Sequence, residues 1–99
     1  MDFNTDYLEL VCLERKADTL LPLYKETMDE LRETQYESID NLTRFIEMSK
    51  EVIDLCHSSL QIFKRFRVLT QAQRISIRKT ILLIRVGMMC AKVLRKLKT

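Results

Sequence analysis

Cys56 and His57 stand side by side, and His57 is the only histidine of the 99-residue chain. A thiol next to an imidazole is the pairing that makes cysteine a strong nucleophile. On a helix, however, adjacent side chains point about 100° apart, and Cys56 falls on an apolar seam. The two are therefore not expected to form a Cys–His pair, and His57 reads as a solvated or half-buried side chain. Neighbouring carboxylates such as Asp29 with Glu30, or Glu51 with Asp54, fall on outward faces where solvated helix surface is the ordinary account. One glycine cannot build a phosphate-cradling loop. Cys12, Cys56 and Cys90 are odd in number and lack C-x-x-C spacing, so neither a disulfide framework nor a metal site is expected, and the compartment is expected to be reducing. The methionines at 28, 48, 88 and 89 read as core filler rather than a cofactor pocket. The expectation is a non-enzymatic protein with no catalytic residue, no metal and no cofactor.

The chemistry that the sequence does offer is cationic. The stretch "RISIRKTILLIRVGMMCAKVLRKLKT" closes the chain without one carboxylate. All fourteen acidic residues lie at or before Asp54, against six basic ones, whereas residues 55–99 hold eleven Lys and Arg. A net charge of +3 thus hides an acidic part at −8 and a basic part at +11, which implies a polyanion partner or an acidic surface within the same assembly. Lys64, Arg65, Arg67, Arg74, Arg78 and Lys79 cluster around one turn. From there Arg74, Arg78, Arg85, Lys92 and Lys96 continue as a stripe, within an arc of roughly 40° and over about 33 Å of helix. Such a stripe suits the phosphates of a duplex, without sequence preference and with steep salt dependence. Double-stranded RNA, recognised largely by shape and backbone, is favoured over DNA. In "FKRFRV", Phe63 and Phe66 interleave with three cations as a stacking platform for single strands would, but both fall near the buried side, and core packing is the expected role.

The elements that must carry these residues are helices. Hydrophobic residues reach 46%, with one glycine and one proline, a composition that excludes disorder and makes an all-β fold with many turns untenable. The length suits one domain spanning 1–99, with a modest core. The first helix keeps a three-and-four apolar rhythm from Leu10 to Leu31 and should be kinked or broken near Pro22, by a break around 18–21 in the second case. The second is expected to start near Thr34 or Ser38, where "TQYE" offers a capping box, and to end near Val68. Its seam of Ile39, Leu42, Ile46, Ser49, Ile53, Cys56, Leu60 and Phe63 follows heptad spacing. Thr70, with Gln73 three residues on, should cap a third helix from Gln71 to about Leu97. Short links force neighbours antiparallel, so the expected fold is all-α, an up-down-up bundle of three long helices, or four if Pro22 breaks the first.

The third helix has more apolar surface than one bundle can hide. A broad face of Ile75, Leu82, Leu83, Val86, Met89, Cys90, Val93, Leu94 and Leu97 is expected to join the core. A second row, Ile77, Ile81, Ile84 and Met88, with the small Gly87 and Ala91 beside it, would then lie in water and mark an interface, most simply with a second copy in a homodimer. Protein–protein docking or a structural oligomer is the alternative to nucleic-acid binding, with acidic ends meeting basic ends as one form of it. Pairing of Lys92 and Lys96 with Asp40 and Glu47 would be the bland use of the lower stripe. Peripheral binding to an anionic membrane is the lesser alternative. Crossing one is not expected, because a span needs ~20 apolar residues and 81–94 supplies fourteen that include Arg85 and Lys92. The start "MDFNTDYLEL" lacks the basic and apolar regions of a signal peptide, and an intracellular location is expected.

Overall fold

A computed structural model describes residues 3–66 and 71–99, with the side chains of 7–62, 64–65 and 71–99. These residues form three helices, α1 (Phe3–Glu33), α2 (Ile39–Phe66) and α3 (Gln71–Lys98). They run up, down and up in a body of 49 × 24 × 19 Å. The expected end of α2 near Val68 and the Thr70 cap lie outside the described residues.

Pro22 sits inside α1, which continues through it unbroken. Its ring is exposed, so the carbonyl four residues earlier loses its hydrogen bond on the side where water can replace it. α1 faces α2 on both sides of that point, across an open groove at Leu13 and Leu20 before it and in close packing at Tyr24, Thr27 and Leu31 after it, and it remains one helix where a break was the alternative.

The turn after α1 is built by the backbone rather than by the expected capping box in "TQYE". The Tyr36 amide donates to the Leu31 carbonyl and the Gln35 amide to the Arg32 carbonyl, both at 2.9 Å. This 6→1 and 5→2 pattern ends a helix on a left-handed residue. Gln35 and Tyr36 hold φ of 54° and 60°, a region where residues other than glycine are strained. The N-cap of α2 is Ser38, whose Oγ accepts from the Asn41 amide at 3.2 Å, satisfying one of the orphan donors of the first turn.

α2 is the middle element. It packs along α1 on one side and α3 on the other, and no Cα of α1 lies within 8 Å of one in α3 among the described residues. Side-chain pairs fix both antiparallel registers. Thr27 Oγ1 lies 3.1 Å from Met48 Sδ and Arg44 donates to Glu30 at 3.2 Å across α1 and α2. Arg95 donates to Thr43 at 3.3 Å and Lys98 to Glu37 at 3.0 Å at the other boundary. Of the α2 seam, Leu42, Ile46, Ser49 and Ile53 are buried, while Ile39 is exposed. Phe45, Val52 and Ile62 are buried as well, because a helix with a neighbour on each side hides a wider arc than one seam. The helices meet around Leu31, Leu42, Phe45, Ile46 and Ala91, where the Tyr24 and Phe45 rings stack with centroids 5.5 Å apart.

The two apolar faces of α3 are assigned the other way round from the sequence expectation. Ile81 and Ala91 are buried, at 4% and 3% exposure, and Ile77, Ile84, Gly87 and Met88 are half-buried on the same side. This row packs against α2 and is not a free oligomer interface. Leu94 of the broad face is half-buried against the core, while the rest of that face looks outward, with Leu82, Leu83 and Leu97 at 60%, 72% and 78% exposure. The ring of Phe45 reaches α3 at Gly87, its Cζ 3.7 Å from where a β-carbon would stand, so α2 seats on the row with the small residues.

Candidate nucleic-acid interface

The local sequence of α3 places cations at steps of four and seven beside its inward row, from Arg74 through Arg78 and Arg85, and α2 contributes Lys64 from the opposite wall. Lys64, Arg74, Arg78 and Arg85 line one open groove between α2 and α3, about 570 Å³ in volume, together with His57 and Gln61. Leu60, Ile81 and Leu82 complete its lining. No ion pair among the described residues engages any of these four cations. By contrast, the groove between α1 and α2, about 640 Å³, sets Arg15 and Lys16 beside Glu51 and Asp54, so its charges offset each other.

Within the basic groove Arg74 carries the sharpest signal. Its Nε–H is shut off from solvent and has no acceptor among the described residues. A buried donor left unsatisfied costs on the order of 1–3 kcal/mol. Arg85 is steadied differently: its Nη2 donates to His57 Nε2 at 3.2 Å. A guanidinium is always a donor, so this contact orients Arg85 without neutralising it. Cys56, the neighbour of His57, turns inward, and burial pushes its thiol above the ordinary value, which opposes thiolate formation.

The remaining members of the expected stripe fall outside the groove. Lys79, Lys92 and Lys96 are exposed further round or further down α3, and Arg67 lies outside the described residues. Arg65 is partly covered by the chain's own acid, Glu9, at 3.9 Å; both side chains are about half exposed, and such pairs contribute little. The expected pairing of Lys92 and Lys96 with Asp40 and Glu47 does not form. Arg95 and Lys98 make the contacts to the start of α2 instead, at Thr43 and Glu37, because they project nearer to α2 than the stripe does. His57 is a wall residue of the groove that sequence reasoning left as mere surface. The interval from 57 to 85 carries no local sign of it, since it depends on the α2–α3 register.

Among the described residues no group of three or more His, Cys, Asp or Glu is placed to hold a metal ion, and no helix is long and apolar enough to cross a membrane. No family model, characterised protein or solved structure matches this chain.

Proposed function

We propose that this chain is a non-enzymatic binder of nucleic acid that contacts the phosphate backbone, with the α2/α3 groove as the anchor and the cation row of α3 as its extension. The observation that carries the reading is the groove itself: Lys64, Arg74, Arg78 and Arg85 converge without a carboxylate, and Arg74 Nε–H is buried without an acceptor. Phosphate oxygens accept from the groove-facing N–H groups of these side chains, and guanidinium groups take them in bidentate fashion. Such contacts carry no base information, so binding is sequence-nonspecific and weakens with salt through counterion release. Duplex RNA is the favoured ligand, because a straight row on a rigid helix reads shape and backbone rather than base edges.

The test is a titration of the full chain with labelled duplex RNA, duplex DNA, single-stranded RNA and anionic vesicles at two salt concentrations. A variant carrying Arg74→Gln, Arg78→Gln and Arg85→Gln runs beside it. The variant keeps its helical content and loses duplex binding, and the wild-type affinity falls as salt rises. Equal binding by wild type and variant removes the groove from the reading, and binding to vesicles alone replaces it with a membrane role. A second reading, protein docking, is favoured by the outward apolar face of α3.

A further inference from the structure

Given the nucleic-acid reading of the α2/α3 groove, on which this rests, we infer that His57 is a further anion contact of that groove, made only when its ring takes up a proton. Without that proton the ring holds Arg85 instead. Nη2 of Arg85 and Nε2 of His57 are 3.2 Å apart. A guanidinium offers only N–H groups, so the two share a hydrogen bond only in the tautomer that carries its proton on Nδ1 and a lone pair on Nε2. A second proton occupies that lone pair and sets two cations face to face. The contact then opens, and the groove has a positive side chain at His57 in addition to Lys64, Arg74, Arg78 and Arg85.

Nothing lining the groove offsets the added charge. α2 brings Lys64 and the neutral Gln61 to it, α3 brings its three arginines, and no carboxylate joins them. The nearest acids along α2, Glu51 and Asp54, line the groove on the α1 side together with Arg15 and Lys16 of α1. Cys56, beside His57 on α2, is half-buried and is kept a neutral thiol by that burial.

Proton and polyanion are thereby linked. A protonated imidazole donates from both nitrogens to phosphate oxygens, whereas the ring that holds Arg85 presents a lone pair at Nε2. The protonated groove binds a polyanion more tightly, and by reciprocity the bound polyanion draws a proton onto His57. Affinity is therefore greatest at the acid end of the range in which histidines titrate, roughly pH 5–8, and falls as pH rises through it. Lysine and arginine keep their charge across that range, so among the residues lining the groove His57 alone carries the dependence.

The experiment measures binding of duplex RNA by the full chain at about pH 5.5 and about pH 8, over a series of salt concentrations. Wild type binds several-fold tighter at the lower pH, and its slope of log affinity against log salt steepens there by about one, the share of one added phosphate contact. His57→Gln is uncharged at both pH values and accepts from Arg85 through its amide oxygen; it shows the weaker binding throughout. His57→Lys is charged at both and shows the tighter. His57 is exposed, and circular dichroism checks that both variants keep the wild-type helical content. Because the chain has one histidine, its ring signals are unambiguous by NMR, and adding duplex near neutral pH moves them toward their protonated positions. Equal affinity and slope at the two pH values overturn the inference and leave the nucleic-acid reading standing, as does a pH dependence that persists in His57→Gln. Absence of duplex binding at both pH values overturns the two together.

Discussion

Arg85 Nη2 lies 3.2 Å from His57 Nε2, so the guanidinium in the middle of the cation row meets an imidazole nitrogen of the neighbouring helix and not a carboxylate. The groove keeps its full positive charge while one of its cations is fixed in place.

This arrangement separates cations by their partners. Lys64 has no ion pair among the described residues, whereas Arg44 is committed to Glu30 at 3.2 Å. Lys64→Gln is expected to weaken duplex binding several-fold and to reduce the slope of log affinity against log salt by about one. Arg44→Gln leaves both unchanged. Filter binding at a series of salt concentrations reads the two slopes; equal effects would show that net charge alone governs binding.

Gln35 occupies the left-handed position of the α1–α2 turn at φ 54°. Gln35→Gly removes the steric cost of that conformation, and the loss of chain entropy offsets only part of the gain. Stability should rise by about 0.5–1 kcal/mol, visible as a higher urea midpoint at unchanged m-value. A lower midpoint would mean that the glutamine side chain contributes more than its backbone costs.

Gly87 marks where α3 meets Phe45, yet a β-carbon there would stand 3.7 Å from the ring, an ordinary van der Waals contact. Gly87→Ala is therefore expected to stabilise by about 0.5–1 kcal/mol through helix propensity. Thermal melts followed at 222 nm test it. Destabilisation would show a tighter α2–α3 approach than these distances describe.

Ser49 is fully buried at the seam, with its hydroxyl 2.7 Å from the Phe45 carbonyl and 3.3 Å from Tyr24 Oη. Ser49→Leu inserts volume where helices already touch and should cost about 1–3 kcal/mol. Leu83→Ser, on the outward face, should leave the stability of the monomer within about 0.5 kcal/mol. Denaturation of both at low protein concentration, where association is negligible, compares the sites directly.

Burial raises the pKa of the Cys56 thiol, whereas Cys12 and Cys90 are exposed. The folded state favours the neutral thiol, so its stability is unaffected below the ordinary cysteine range and falls as pH rises above it. Near neutral pH a thiol reagent should modify Cys12 and Cys90 first and Cys56 last, with unfolding in denaturant removing the difference. Mass-resolved labelling orders the three, and early modification of Cys56 would contradict the packing of α2.

The helices, the α2 seam and the cation cluster were legible in the sequence because each depends on residues close together in the chain. Leu42, Ile46, Ser49 and Ile53 follow from spacing alone, and so does the proximity of Arg74 to Arg78 on one helix face. What lay beyond the sequence is what α2 presents to its neighbours. Both apolar rows of α3 have helical spacing, and which of them faces α2 shows only in contacts between helices, such as that of Phe45 with Gly87. The small residues that had suggested approach by another molecule are where the chain's own α2 sits. Likewise the contacts of Arg65 with Glu9 and Lys98 with Glu37 depend on register between helices, a quantity that periodicity within one helix does not contain. At Pro22 the two local alternatives were a kink and a break, and one helix runs through it.

α1 and α3 have no backbone approach to one another among the described residues, and they share the core only through side chains, Leu31 from one and Ala91 from the other. Detaching α1 takes Leu31 out of the shared cluster but leaves the backbone contacts of α2 with α3, groove included, and the reverse holds for α3. Amide exchange should therefore release the two outer helices at separate free energies, with the middle of α2 last of all, and the acidic arm can come and go while the basic hairpin keeps its form.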